Sequence, residues 1–329
     1  MKTIAIFRTW LERLLIVWLV LLSWIAYSWP RWRAAWLPED VALDPFQQSA
    51  GFLKPMFAVT MLAIGSLLPR EEVRQVCRRW PTVLGGTAVQ YISMPLLAYG
   101  VGRLFGLEGP WMIGIVMVGC VPGAMASNVL TLMARGNVSY SVSLTTSATV
   151  LSPLIVPWVL WLALGRMVEN FPVWDVCRDL CWMVVIPVIA GHLLAQRFAV
   201  WAAVAKHGAA IVANLAILWI IAVVVGANRD RISQLNVVLL EALLLVNVLG
   251  YTAGFAGGWL LRLPSGMRRA LTLEVGMQNA GLGTTLAMGL FDDPSAALPA
   301  ALYTFGCMLT GTVLARVWAE LSQPVDQLD

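Results

Sequence analysis

The sequence is poor in charge and in the residues that build common enzyme active sites. Only 12% of its 329 residues are charged, about half the share found in soluble domains, and 59% are hydrophobic. It has two histidines, His192 and His207, and neither has a carboxylate at helical spacing. A nucleophile with its base, or a histidine metal centre, therefore has no candidate residues. These shortages argue against an enzyme and against a nucleic-acid-binding protein.

Cysteine is equally uninformative about chemistry. The five cysteines are an odd number with scattered spacing. Cys177 and Cys181 share a helical face at i, i+4, but two soft ligands without a nearby histidine make a poor zinc site. We interpret the cysteines as apolar packing residues. No cofactor and no obligate protein partner is predicted.

What the chain has instead is a series of apolar segments of membrane-spanning length. Short loops join them, and a turn at Arg135-Gly136-Asn137 separates the fourth from the fifth. The ten segments lie at about 12–30, 49–68, 79–104, 111–134, 137–164, 178–198, 207–227, 235–262, 268–290 and 294–319. The sequence therefore predicts an all-α polytopic membrane protein of ten transmembrane helices that form one membrane domain, residues 1–329.

Basic residues in the loops predict the orientation of these spans. Lys2, Arg8 and Arg13 precede the first apolar run, which lacks the small-x-small site of a cleaved signal peptide and is predicted to be retained. With the N-terminus inside, fourteen of the 22 lysines and arginines fall on the inner side. Both termini are therefore predicted to be cytoplasmic. The short chain suits a bacterial inner membrane.

Ten spans divide into two five-span units, and an odd-numbered unit that is repeated lies inverted in the membrane. The units would be residues 12–164 and 178–319. Span four is interrupted at Pro122-Gly123, and span nine contains Glu274 and several glycines between Leu273 and Gly283. Discontinuous helices at matching positions in two inverted repeats are a common plan of transporters. The sequence predicts helix breaks in spans four and nine.

Glu274 carries most of the predicted chemistry. A carboxylate in an apolar span costs roughly 2.5 kcal/mol or more, so a cation or a proton is expected to meet it. Hard oxygen ligands that suit sodium occur in other spans. They are Gln90, Ser127, Asn128, Ser141, Thr145 and Gln278. The hydroxyl and amide groups taken singly are also typical of helix packing, as are Asn214 and Asn247, and Glu274 could be a protonated structural acid.

Several of these motifs resemble the bile acid:sodium symporter family. The run V-P-G-A-M-A-S-N-V-L-T-L-M-A-R-G-N-V from Val121 to Val138 and the run L-T-L-E-V-G-M-Q-N-A-G-L from Leu271 to Leu282 are similar to its crossover motifs. The serine- and threonine-rich stretch that ends at Ser152-Pro153 and the Gln90-x4-Pro95 pattern fit as well. The resemblance covers nearly the whole chain.

The resemblance implies a fold and a set of sites. Core helices 3–5 and 8–10 would pack against a panel of helices 1, 2, 6 and 7, and helices 4 and 9 would cross where they unwind. One sodium ion would be bound by Ser127, Asn128, Ser141, Thr145 and Glu274. A second would be bound by Gln90, Glu274, Gln278 and the backbone carbonyls of Val275 and Met277. The substrate would be an organic anion beside the crossing, contacted by Asn279 and, on the last span, by Thr304, Cys307 and Met308.

The last span departs from some relatives that bind bile acids. Those can carry His-Asn where this chain has Cys307-Met308, with Thr304 nearby. Small carboxylates are therefore candidate substrates as much as bile acids are. We expect a sodium-coupled importer of an organic anion that works by alternating access, with sodium as the coupling ion. A proton-coupled carrier that titrates Glu274 is the alternative.

Overall fold

The computed structural model describes residues 11, 14–36, 43–165, 167–168, 170–232 and 237–321. This part of the chain is helical and contains no β-strand. Its helices of eight or more residues are α1 Leu15–Trp36, α2 Leu53–Ser66, α3 Arg70–Arg78, α4 Trp80–Leu104, α5 Gly109–Cys120, α6 Ala126–Met133, α7 Val138–Leu164, α8 Val173–Leu180, α9 Ile186–Arg197, α10 Ala199–Ala227, α11 Val237–Leu260, α12 Ser265–Gly276, α13 Ala280–Leu290 and α14 Leu298–Leu321. A π-helical segment, Cys181–Val185, joins α8 to α9.

Within the described ranges, seven helical segments are long and apolar enough to cross a membrane. They are Leu15–Trp32, Pro45–Ser66, Val138–Leu164, Val173–Arg197, Ala199–Ala227, Val237–Leu260 and Pro294–Leu321. The three remaining predicted spans correspond to α4 and to two broken pairs, α5 with α6 and α12 with α13. Of these pieces, α5 and α13 are short apolar helices. The count of ten spans and their division into inverted repeats stay predictions.

Burial follows the pattern of a protein surrounded by lipid. Large apolar side chains such as Leu96, Leu162 and Trp259 lie exposed on the outside of the helices. Polar side chains, among them Gln90, Asn247 and Glu274, are buried in the interior. A soluble domain rarely exposes so much contiguous apolar surface. The distribution indicates an integral membrane protein with a polar centre.

Helix ends follow local sequence signals. The turn predicted at residues 135–137 lies between α6 and α7, with Arg135 at a φ of 52° and the Asn137 side chain accepting a hydrogen bond from Tyr140 N. The seventh span was predicted to begin at about residue 207, and this is wrong for the start of the helix that contains it, α10. That helix begins at Ala199, so Lys206 and His207 lie within it. An alanine- and valine-rich sequence continues the helix through both polar residues, whose side chains are exposed.

Ion pairs connect residues that the loop charges assign to the same side. The pairs are Lys54–Asp179 at 2.6 Å, Arg178–Asp175 at 2.9 Å, Arg229–Asp44 at 2.6 Å and Arg231–Asp293 at 3.6 Å. All eight residues lie in the loops that the predicted orientation places outside, or in the ends of spans next to those loops. The grouping of the loops is thus self-consistent, while the choice of inner side stays a prediction. Lys2, Arg8 and Arg13, which support that choice, lie outside the described residues.

Candidate functional site

Two interrupted helices meet in the interior. The chain leaves helical geometry between Cys120 and Ala126 and again between Gly276 and Ala280. At the first break, Pro122 lacks an amide proton, which favours an end to the helix. At the second, Met277 is extended, with φ −111° and ψ 94°. Each break frees backbone groups that a continuous helix would satisfy internally.

Some of these unpaired backbone groups are satisfied by hydrogen bonds between the two breaks. Ala124 N donates to Met277 O at 2.7 Å, and Asn279 N donates to Pro122 O at 2.8 Å. Gly123 and Gln278 therefore face each other as an antiparallel bridge. The N-terminal ends of α6 and α13 also lie at the crossing. Helix N-terminal ends carry partial positive charge, which favours a bound anion nearby.

Glu274 lies one turn before the second break, and its carboxylate is fully buried. Its Oε2 atom accepts hydrogen bonds from Ser127 Oγ and from Thr145 Oγ1, the latter at 2.8 Å. Its Oε1 atom is buried without a hydrogen-bond partner. A buried carboxylate oxygen without a partner is costly, because desolvation is not compensated. The free Oε1 marks the position where a cation or a proton would be stabilised.

The free oxygen points at the first break. A Cβ atom added to Gly123 would lie 2.1 Å from Glu274 Oε1. Such a distance is far inside van der Waals contact, so only glycine leaves room for the carboxylate at this position. Gly123 therefore allows the broken helix to approach the carboxylate of Glu274 closely.

Of the residues predicted for the first sodium ion, Ser127 and Thr145 contact Glu274, while Asn128 and Ser141 contact Thr145. Thr145 Oγ1 is 3.5 Å from Asn128 Oδ1, which places the amide oxygen beside the same hydroxyl. Ser141 Oγ accepts a hydrogen bond from Thr131 Oγ1 at 3.2 Å. Thr131 was not predicted, although it lies four residues after Ser127 and hence on the same face of α6. The set joins α6, α7 and α12 through oxygen atoms.

The residues predicted for the second ion also lie near one another. Gln90 Nε2 lies 3.4 Å from Gln278 Oε1, and both side chains are buried. Gln278 Nε2 donates to Val275 O at 2.6 Å. Met277 O accepts the bond from Ala124 N that joins the two breaks. Each of these two carbonyls retains a second lone pair that could bind a cation.

Within the part of the chain that the structure describes, no ion pair includes Glu274. No lysine, arginine or histidine there neutralises its carboxylate. The same residues contain no group of three or more His, Cys, Asp and Glu side chains that could hold a metal ion. The oxygens present are hydroxyl, amide and carbonyl atoms around one carboxylate. Hard oxygen ligands with a single negative charge suit a hard monovalent cation better than a soft transition metal.

The four residues predicted to contact substrate are less closely grouped. Asn279 is half-buried, and its Oδ1 atom caps α13 by accepting from Leu282 N at 3.1 Å. On α14, Thr304 Oγ1 donates to Ala300 O at 3.3 Å and Cys307 Sγ donates to Thr304 O at 3.5 Å. Met308 is half-buried on the same helix. The hydrogen bonds of Thr304 and Cys307 stay within α14, so the structure does not join them to Asn279.

Sequence reasoning missed a second polar network on the other side of the break. Asn247 and Tyr303 both donate to Gly276 O, each at 2.8 Å. Asn247 was interpreted as an ordinary helix-packing amide, and Tyr303 was not singled out. Along the chain, the charged residue nearest to Asn247 is Glu241, six residues away. The buried amide therefore gives no signal of its partner, which lies on another helix.

The family model described as the Sodium Bile acid symporter family matches residues 54–235 of this chain. The chain is 30% identical over 304 residues to a Bacillus subtilis protein named "Uncharacterized sodium-dependent transporter YocS", covering 92% of this chain and 90% of the relative.

Plant proteins are similar as well. Identity is 31% over 268 residues to "Probable sodium/metabolite cotransporter BASS1, chloroplastic" of Arabidopsis thaliana, covering 79% of this chain and 65% of the relative. It is 28% over 323 residues to the rice protein "Probable sodium/metabolite cotransporter BASS2, chloroplastic", covering 97% of this chain and 73% of the relative. The match therefore extends over most of the chain.

Proposed function

Because the chain belongs to the sodium bile acid symporter family, we propose that it is a sodium-coupled secondary transporter that imports an organic anion. The observation that carries this proposal is the unpartnered Oε1 atom of Glu274, buried at the crossing of two broken helices. The groups that contact the carboxylate are neutral hydroxyls on Oε2 rather than basic side chains. A sodium ion at this position would relieve the uncompensated burial of the carboxylate.

Two sodium sites share the acid in this proposal. The first uses Glu274 with Ser127, Asn128, Ser141 and Thr145. The second uses Glu274 with the side chains of Gln90 and Gln278 and the carbonyls of Val275 and Met277. The shared carboxylate couples the two ions, because the first ion partly neutralises the charge that attracts the second.

The proposed architecture has two inverted five-helix repeats, residues 12–164 and 178–319. Support comes from the two breaks, one in α5–α6 and one in α12–α13, which occupy corresponding places in the two halves. In this arrangement α4 to α7 and α11 to α14 form the core, and α1, α2 and α8 to α10 form the panel. Transport would proceed by motion of the core against the panel, which exposes the crossing to each side in turn.

The anion site is proposed beside the crossing, where the N-terminal ends of α6 and α13 lie. Asn279 is the side chain best placed to contact the anion, because it begins α13 directly after the break. Thr304, Cys307 and Met308 on α14 would form the other wall. Their small hydroxyl, thiol and thioether groups do not decide whether the substrate is a bile-acid-like anion or a small carboxylate.

Sodium binding would create the anion site by ordering the crossing. Without the ions, the burial of the charge on Glu274 is uncompensated and the contacts between α4, α6, α7 and α12 are weakened. Two sodium ions with a monovalent anion would move one net positive charge inward. A membrane potential of about 100 mV contributes roughly 2.3 kcal/mol to that movement. Both termini are proposed to be cytoplasmic, in a bacterial inner membrane.

A proton-coupled carrier is the second candidate, because the free Oε1 of Glu274 could also hold a proton. The arrangement of Ser127, Asn128, Ser141 and Thr145 favours sodium, since a proton needs only one acceptor. The two candidates differ in the gradient that drives uptake.

Uptake into proteoliposomes separates them. Radiolabelled carboxylates are supplied under an inward sodium gradient at constant pH, and separately under an inward proton gradient in potassium salts. We expect uptake with sodium only, and its loss in Glu274→Gln. Glu241→Gln, which changes an exposed carboxylate on α11, is the matched control and should retain uptake. Uptake that needs only the proton gradient would favour the alternative.

A further inference from the structure

We propose that Asn247, Tyr251, Tyr303 and Thr310 form a clamp on the carbonyl of Gly276 that positions the sodium-binding carbonyls on either side of it. This Gly276 clamp rests on the proposed function, since it assigns positioning residues to the second sodium site. None of its four side chains belongs to the predicted ligand sets. They lie on α11 and α14, on the opposite side of the break from the carboxylate cluster.

The first layer of the clamp consists of two hydrogen bonds to one acceptor. Asn247 Nδ2 and Tyr303 OH each donate to Gly276 O at 2.8 Å. Asn247 Nδ2 also lies 3.2 Å from Tyr303 OH. Both side chains are fully buried. Two donors occupy both lone pairs of this carbonyl, so Gly276 O cannot bind a cation itself.

The second layer fixes the orientation of the Asn247 amide. Thr310 Oγ1 donates to Asn247 Oδ1 at 2.6 Å. Tyr251 OH lies 3.2 Å from Thr310 Oγ1 and donates to Cys307 O at 3.2 Å. Because the amide oxygen is held by Thr310, the amide nitrogen faces Gly276. The clamp thus extends across α11, α12 and α14.

The position of Gly276 also depends on the absence of a side chain. A Cβ atom there would lie 2.1 Å from Tyr251 Cδ1, so the tyrosine ring rests directly on the backbone. The same ring carries the hydroxyl that contacts Thr310. Gly276 therefore ends α12 in contact with the clamp.

The consequence concerns the neighbouring carbonyls. With Gly276 O held toward α11 and α14, Met277 O faces the other break, where it accepts from Ala124 N at 2.7 Å. Val275 O accepts a single bond, from Gln278 Nε2 at 2.6 Å. The clamp therefore leaves one free lone pair on each of the two carbonyls that flank Gly276. Loss of a clamp bond should weaken sodium binding through misplacement of these carbonyls.

The test is a sodium titration of purified protein, with NaCl exchanged for KCl at constant ionic strength and thermal unfolding as the readout. In Tyr303→Phe, the dissociation constant for sodium, fitted from the rise of stability with sodium concentration, should increase about fivefold, the effect of one lost hydrogen bond. Thr310→Val should shift this constant in the same direction, and Thr310→Ser, which keeps the hydroxyl, should restore it. Well above the dissociation constant, the slope of stability against the logarithm of sodium concentration should match the wild type.

Tyr140→Phe is the matched control. Tyr140 is a buried tyrosine on α7 whose hydroxyl donates to Thr82 O at 3.0 Å and makes no bond to Gly276. Both variants should lose similar stability in KCl, but only Tyr303→Phe should change the sodium dependence. Equal dissociation constants for sodium in the two variants would overturn the clamp. A wild-type protein without any sodium stabilisation would overturn the proposed function and the clamp together.

Discussion

At the scale of single residues, the two oxygens of Glu274 have different surroundings. Oε2 accepts from Ser127 and Thr145, while Oε1 has no partner and faces Gly123. Oε2 thus has its hydrogen-bond partners, whereas Oε1 is available to bind an ion. This asymmetry would let one side chain fix its own orientation and still bind an ion.

The close approach of Gly123 makes it sensitive to a single methyl group. Gly123→Ala should abolish sodium-dependent stabilisation, because its Cβ would displace Glu274 Oε1. Gly100→Ala on α4 is the control, since a Cβ there meets nothing within 4 Å and alanine favours a helix. Thermal unfolding in NaCl and in KCl measures both variants. Sodium stabilisation that survived in Gly123→Ala would contradict the assigned position of Oε1.

The hydroxyl of Thr145 should act through both the carboxylate and the ion. Thr145→Val removes a bond to a charged group, and we expect the dissociation constant for sodium, fitted from stability against sodium concentration, to rise at least about tenfold. Thr145→Ser should be close to wild type. Thr60→Val removes a buried hydroxyl that, among the described residues, bonds to Met56 O in its own helix. If the Thr60 and Thr145 variants behaved alike, the hydroxyl of Thr145 would be a packing group.

Residue-scale features were predictable where the sequence contrast was strong. A carboxylate and amides in apolar spans identified Glu274, Gln90 and Gln278. The structure brings the two glutamines together and places both Glu274 and Gln278 beside Gly123. Thr131 and Tyr303 were not found, because hydroxyl groups in apolar helices usually bond to their own backbone. Only their tertiary contacts distinguish them.

At the scale of elements, the crossing of two broken helices organises the interior. Pro122-Gly123 predicted the first break by local chemistry. The glycines of the second motif were less direct guides, since Gly281 and Gly283 lie inside α13 and only Gly276 lies next to the break. There the requirement is close packing against Tyr251 rather than an unusual backbone angle. Such a requirement depends on a neighbouring helix and cannot be read from one segment.

Asn279 has two roles at this crossing, which two substitutions can separate. Asn279→Asp keeps the cap of α13 but adds negative charge where the anion is proposed to bind. We expect normal stability and greatly reduced anion uptake, measured in proteoliposomes. Asn279→Ala should reduce both, with about 1 kcal/mol lost through the missing cap. Wild-type uptake by Asn279→Asp would place the anion elsewhere.

At the scale of the whole molecule, apolar surface faces outward and polar groups face inward, as the composition predicted. Long-range ion pairs then connect distant parts of the chain at one side. Arg229 bonds to Asp44 at 2.6 Å and also to Ala26 O at 2.8 Å, with side-chain exposures of 13% and 14% in the ion pair. It thereby ties the end of α10 to α1 and to the segment before α2.

Loss of one partner in this largely buried ion pair should destabilise the fold. Asp44→Asn preserves the acceptor that caps Phe46 N but removes the charge that faces Arg229. We expect the free energy of unfolding in detergent to fall by about 3 kcal/mol. Asp175→Asn, in a pair whose side chains are 72% and 54% exposed, should cause no measurable change. Equal effects of the two substitutions would show that burial does not decide the contribution of these pairs.

Topology was the least accessible feature at this scale. Hydrophobicity gave the approximate spans, but α10 begins earlier than expected because alanine-rich sequence extends a helix through exposed polar residues. The five-plus-five division and the orientation remain predictions that follow from parity and loop charge. Cysteine labelling of the loops between spans, with a reagent that does not cross the membrane, would determine the orientation.

The central claim is that sodium binds at Glu274, and one measurement tests it without knowledge of the substrate. Thermal unfolding of the purified protein is compared in NaCl and KCl at equal ionic strength, for the wild type and for Glu274→Gln. We predict that sodium stabilises the wild type by about 2.7 kcal/mol at 100 times its dissociation constant and leaves the variant unchanged. Identical unfolding of the wild type in both salts, in detergent and in lipid, would contradict the account.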